Sequence, residues 1–328
     1  MVLESISNLG GAEKHPFTLF FMAFIVTSIG IFVSAKTFPE SASVLTIAFV
    51  AVAFMPIMHS LFAQEEKQEV DEKDMPFAFI STHFDVIHIY SWIFLGMIAA
   101  YSLWAVILPI SNDDCSGLSC ILPEKTVVFS EQNKVHSSLT GKVIGENECF
   151  NKETRSFGPC FELIFLNNFW VMVLAILFSF IWGAGAIFLL GWNASVIGLF
   201  IGMEVLTKSI DAGIIRAISY LPHGIPEIMA YFVAAIAGGI ISAAISKKKF
   251  QPHEVRIVLV DTVLLLFLAS ITLFIAAFIE TAAIFNYMDA AMAGIIIFAA
   301  LYFLLYFPGV RYKINKLRKR TRNAIKCN

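Results

Sequence analysis

Eight apolar stretches recur along this 328-residue chain, at 17–35, 44–63, 86–110, 169–190, 194–207, 225–246, 255–280 and 288–307. A bilayer core about 30 Å thick asks for roughly 20 such residues per helix, because a backbone in lipid must satisfy its own polar groups. The chain therefore reads as an all-α polytopic membrane protein of about eight transmembrane helices with both termini on one side, the fifth stretch being the shortest. Only 15% of the residues are charged, against about 25% in ordinary soluble domains.

Direction follows from lysine and arginine, which cytoplasmic segments retain. With the N-terminus inside, the inner segments hold Lys14, Lys67, Lys73, the run Lys247 to Lys249, Arg256 and the basic tail from Arg311 to Lys326, which is fifteen of the 23 basic residues. The expected arrangement is N-in, C-in in the cell (plasma) membrane. Glu4 and Glu13 precede the first stretch, so it reads as a span and not as a cleavable signal.

Three regions follow. Residues 1–85 form a helical hairpin and an acidic inner loop, Gln64 to Asp74. Residues 86–287 make the membrane core with an extracytoplasmic module at 111–168, and residues 288–328 supply the last span and the basic tail. The module is expected to be β-rich, since Thr126 to Ser130 and Leu139 to Ile144 carry β-branched residues between glycine and proline breakers. Cys115, Cys120, Cys149 and Cys160 fall within it, on the side where disulfides persist. Four cysteines allow three pairings, of which neighbour with neighbour is preferred. Cys327 would be a free thiol on the inner tail. A zinc site with His136 is the alternative, without the usual CxxC spacing. His83, Asp85 and His88 also include metal-ligand types; Thr82 and Asp85 at capping spacing give the plainer reading, the start of the third span.

The polar residues within the later spans carry the information. Glu204, Lys208 and Asp211 stand at steps of four and three and would share one helical face as an ion-pair ladder, flanked by Arg216. The stretch after 207 suits an interfacial amphipathic helix. Pro222, His223, Gly224, Pro226 and Glu227 then read as a turn that launches the sixth span, with Pro226 as its first helical residue. Twenty residues from Glu227 to Lys247 span about 30 Å of helix, which puts Glu227 at the outer boundary. Asp261 and Glu280 are separated by about 28 Å along the seventh span, so only Glu280 belongs outside. Glu204, Lys208, Asp211, Arg216, His223, Glu227 and Glu280 are thus expected at one outer level as a polar cluster. Ala230, Ala234, Gly238 and Ser242 at steps of four, with Gly239 beside them, mark the sixth span as a central helix that neighbours approach closely.

Leu221 to Glu227, continued by Ile228, Met229, Ala230, Tyr231, Phe232 and the Ala/Gly-rich run to Ala244, resembles the hallmark segment of the stage II sporulation protein M family of integral membrane proteins. Phe278, Ile279 and Glu280 are similar to that family's late acidic residue. The resemblance is specific over 220–245 and weaker over about 169–285, and it does not extend through 1–85 or beyond 288. It implies a non-enzymatic membrane scaffold, because the namesake anchors cell-wall-degrading proteins during spore engulfment.

The leading expectation is therefore a scaffold that assembles membrane or envelope protein partners, or a second copy of the chain, within the lipid bilayer. No Walker, GxSxG or HExxH pattern is present, so neither a cofactor nor a resident metal is expected. The alternative is an ion or small-solute transporter using the outer cluster, since ionisable residues in spans mark pathways and proton relays. A third reading is an intramembrane hydrolase with a metal on His223 and Glu227, joined by Glu204 or Glu280. The basic tail reads as an orientation anchor or anionic-lipid contact; with a net charge of -2 the chain is no nucleic-acid binder.

Overall fold

A computed structural model describes residues 16–71, 84–110, 121–139, 149, 156–182, 186–246 and 252–306. The described residues are helical almost throughout, with no strand among them. The helices are α1 (Pro16–Thr37), α2 (Ala42–Asp71), α3 (Phe84–Ile107), α4 (Lys125–Val128), α5 (Ser130–Leu139), α6 (Phe157–Trp182), α7 (Ala186–Thr207), α8 (Ile210–Ser246), α9 (Pro252–Ile284) and α10 (Met288–Tyr306). Eight of them are long and apolar enough to cross a membrane.

The outward faces suit lipid. On α1, Phe17, Phe21, Ile25, Ile29 and Val33 recur at steps of four and are all exposed, which in water would be a costly stripe and in a bilayer is the expected surface. α8 occupies the middle: 72% of its most apolar window is buried, against 33% for α1 and 11% for α10. It packs on α9, α6, α7, α2 and α3.

Small residues allow the close approaches. A Cβ on Gly238 would lie 2.5 Å from the carbonyl oxygen of Ile176, so α6 and α8 touch backbone to backbone there. Gly198 meets Tyr101 and Gly202 meets Ala105, and the constant register shows that α3 and α7 run parallel. Trp104 donates to Ser28 Oγ at 2.9 Å, while Gly96 abuts Phe20, which sets α1 parallel to α3 as well. Asn286, at φ 58°, turns the chain from α9 into α10; asparagine tolerates that left-handed conformation better than most residues.

Three expectations are corrected. First, the β-rich module is not found: Thr126 to Val128 lie in α4, and Ser130 and Leu139 begin and end α5, while 140–144 fall outside the described residues. Lys125, Val128, Phe129 and Gln132 are all buried at helical spacing, so tertiary contact with the bundle selects a helix for β-branched residues. Second, the turn expected at 221–227 is helix, and α8 runs unbroken from Ile210 to Ser246 with Pro222 and Pro226 inside it. Third, the fourth and fifth spans sit earlier than read: α6 ends at Trp182 and α7 starts at Ala186, so 191–193 are helical.

Cys149 and Cys160, both buried, are joined by a disulfide with Cα atoms 5.0 Å apart, which ties residue 149 to the first turn of α6. Cys115, Cys120 and Cys327 lie outside the described residues, as do the side chains of His83, Asp85 and His136. His88 is exposed on α3 and accepts from Trp92 Nε1 at 2.9 Å. Among the described residues, no three His, Cys, Asp or Glu groups gather as a metal would need.

Candidate functional site: a polar column through α7, α8 and α9

The chain leaves α7 at Thr207 and re-enters helix at Ile210. Ser209 caps the new helix, its Oγ accepting from the Ala212 N–H at 3.2 Å. This break turns the expected ladder into a hairpin. Glu204 Oε2 receives Lys208 Nζ at 2.9 Å, four residues on and just past the end of α7, while Glu204 Oε1 receives Arg216 Nη2 at 3.1 Å from across the hairpin. Asp211 is exposed in the first turn of α8 and takes no part in these bridges. Had α7 continued, as the ladder required, Arg216 could not have reached back to Glu204.

Above Arg216 the column is aromatic. Its guanidinium lies 5.8 Å from the Tyr220 ring centroid, and Tyr220 also lies 6.3 Å from Phe200 and 6.2 Å from His223. Because the helix passes through Pro226, His223, Glu227 and Tyr231 stand at steps of four on one face. Tyr231 Oη donates to Glu227 Oε1 at 2.9 Å. Glu280, near the end of α9, comes within electrostatic range of Glu227 and of both tyrosines. Glu227 and Glu280 are half-buried; Tyr231 is buried.

The single outer level expected for seven side chains is thus a column. Arg216 to Tyr231 spans about 22 Å along α8 at 1.5 Å per residue, and Glu227 stands about 27 Å along the helix from Ser209. Glu204, Lys208 and Arg216 form one ion-paired end, Glu227 and Glu280 the other, and Tyr220 with His223 bridges the two. Asp261, about 28 Å from Glu280 on α9, is remote from it.

Proline shapes this column. Pro222 is exposed and Pro226 buried, and neither can donate the N–H that would pair with the carbonyl one turn earlier. A Cβ on Gly224 would meet nothing within 4 Å, so no neighbour crowds that position. Further along the same helix, Ala230, Ala234 and Gly238 are buried and Gly239 lies within the same buried run, with Ser242 half-buried at its end.

Tyr220 and Tyr231 were absent from the expected cluster. Their signal was present in the spacing, since Tyr220 follows Arg216 by four and Tyr231 follows Glu227 by four. It is legible only once the helix is known to pass the prolines.

A family model described as stage II sporulation protein M matches residues 17–283, and so takes in the N-terminal hairpin that the motif-based resemblance left out. No curated protein and no solved structure matches the chain.

Proposed function

We propose, since the chain belongs to the stage II sporulation protein M family, that it serves as a non-enzymatic integral membrane scaffold. The observation that carries this reading is the internal use of its charges: Glu204 is held by both Lys208 and Arg216, and Glu227 by Tyr231, so these polar groups tie α7 to α8 and brace α8 itself. Ion pairs satisfied this way lock a bundle's geometry and leave the loops and tail for partners. In this reading the chain lies in the plasma membrane with both termini cytoplasmic. The segment between α3 and α6, which the Cys149–Cys160 bridge ties to the first turn of α6, is extracytoplasmic, where a disulfide is retained. Envelope proteins dock on that segment, or on the acidic and basic inner segments. Chemical crosslinking in native membranes followed by mass spectrometry tests it; recovery of this chain alone counts against it, and a discrete envelope partner supports it.

A second reading has its own support. Glu227 and Glu280 approach from different helices, and Arg216, the arginine of this column, is already engaged by Glu204. Two neighbouring carboxyl groups inside a bundle favour the binding of a proton or a cation. Under this reading the column conducts ions, and Glu227→Gln and Glu280→Gln each abolish flux in proteoliposomes. Equal flux in wild type and both variants removes it.

A further inference from the structure

The outward face of α6 carries a repeat that lipid does not require. Leu163, Asn167, Trp170, Leu174, Leu177 and Ile181 follow one another at steps of four, three, four, three and four, and all six are exposed. That alternation is a heptad seam, which runs straight along one side of a helix and fits a second helix. The exposed stripe of α1, from Phe17 to Val33, advances by fours alone and so winds around its helix, which suits lipid tails and no single partner. α6 already shows what the alternating step does. On its inward side Asn168, Met172, Ala175 and Ser179 recur at four, three and four, and all four are buried where α6 packs on α8 and α9. The outward seam has the same period and is left open.

Two adjacent members of that seam are polar and sit deep in the span. Asn167 and Trp170 stand about 15 and 20 Å along α6 from Phe157, in a helix about 39 Å long. Asn167 Nδ2 donates to Asn168 Oδ1 at 3.0 Å, and among the described residues nothing bonds to the Asn167 carbonyl oxygen or accepts from the Trp170 indole N–H. Tryptophan in membrane proteins favours the interface, where water takes that N–H; here the ring is 63% exposed far from either helix end. Lipid tails supply neither donor nor acceptor, so both groups are costly until protein covers them. An amide both donates and accepts, and a copy of itself at the same depth satisfies it. Two chains inserted in the same direction present parallel α6 helices with their Asn167 side chains level. One asparagine at a core position of a parallel seam is the device that fixes register and partner number.

We propose that the outward face of α6, centred on Asn167 and Trp170, is where a second copy of this chain docks, parallel to the first and related to it by a two-fold axis along the membrane normal. The polar column uses none of these residues, so the dimer is independent of the scaffold and transport readings.

The test uses the full-length chain in native membranes. Photoreactive benzoylphenylalanine replaces Leu174 in one preparation, Leu177 in a second and, as a control exposed on α1, Ile25 in a third. Irradiation gives an adduct of this chain with itself, at dimer mass, from positions 174 and 177 and not from 25. In lipid bilayers, counting of fluorescently labelled subunits shows the dimer dissociation constant raised about tenfold by Asn167→Leu, while Asn167→Gln, which keeps the amide, stays close to wild type. Adducts from 174 and 177 that contain only lipid, or a different protein, overturn the proposal. So does an equal self-adduct from 25, or a dimer that Asn167→Leu leaves unchanged. The photocrosslinking arm keeps Asn167 in place, so a poorly folding Asn167→Leu does not remove the test.

Discussion

Arg216, two turns into α8, reaches back to Glu204 on α7 at 3.1 Å, closing the hairpin that Lys208 and Ser209 open. Lys208 grips the other oxygen of the same carboxylate from the residue just past the end of α7. One half-buried acid therefore holds two helices, while its two bases remain substantially exposed. The inequality predicts which member matters most.

Glu204→Gln is expected to lower stability more than either Arg216→Gln or Lys208→Gln. The cross-hairpin Arg216 change should cost about 1 kcal/mol, and the exposed i,i+4 Lys208 change about 0.3–0.5 kcal/mol. Thermal unfolding of the purified variants, with the Glu204/Arg216 double-mutant cycle, measures both. Equal losses for the two basic variants contradict the prediction.

Two glycines in one helix should respond in opposite ways. Gly238→Val forces a side chain against the Ile176 backbone and is expected to abolish monodisperse protein, or to cost at least about 3 kcal/mol. Gly224→Ala enters open space within a helix and should stabilise by up to about 1 kcal/mol. Size-exclusion profiles and thermal midpoints decide. A destabilised Gly224→Ala would show that the site between the prolines needs glycine for a reason other than room.

Tyr231→Phe removes the only described hydrogen bond to Glu227 and leaves its carboxyl group unpaired in the bundle interior. The expected loss is about 1–3 kcal/mol, and Glu227→Gln, which retains an acceptor for the tyrosine hydroxyl, should lose less. If Tyr231→Phe is silent in thermal unfolding, water or another group must satisfy Glu227.

Breaking the Cys149–Cys160 bridge releases a short loop at the start of α6. Reduction, or Cys149→Ser, is expected to destabilise by about 2–3 kcal/mol. Alkylation before and after reduction, read by mass spectrometry, establishes the bond, and the thermal midpoint reports its effect.

Lys125 gives the pH dependence. Burial lowers its folded-state pKa, so between that lowered value and the ordinary 10.5 the unfolded chain holds a proton that the folded chain has released. Stability therefore rises with pH through that alkaline window. Lys125→Met should flatten the rise. Thermal midpoints followed across the alkaline range in wild type and variant measure it, and parallel curves refute the assignment.

The helical, eight-span architecture was legible because lipid imposes one requirement on every span: enough apolar length with all backbone groups paired inside it. Ala230, Ala234 and Gly238 stand at a four-residue step of small side chains, and in the structure all three are buried, with Gly238 against the Ile176 backbone. Local rules misread two places where a neighbour decides. Pro222 and Pro226 resemble a turn when taken alone, yet the packing that buries Pro226 and the residues after it keeps the helix continuous. Thr126 to Ser130 resemble a strand, yet the inward stripe from Lys125 to Gln132 needs the helical period to meet α2 and α7.

The sequence by itself determined the number of spans, their apolar surfaces and the identities of the polar residues among them, because these follow from transfer energies that each segment carries with it. Only the tertiary structure decided which charges meet. Arg216 joins Lys208 on Glu204 while Asp211 stands outside these bridges, and Tyr231 bonds Glu227, because a contact depends on where the chain reverses and whether a helix survives its prolines. Both are settled by neighbours far away in sequence.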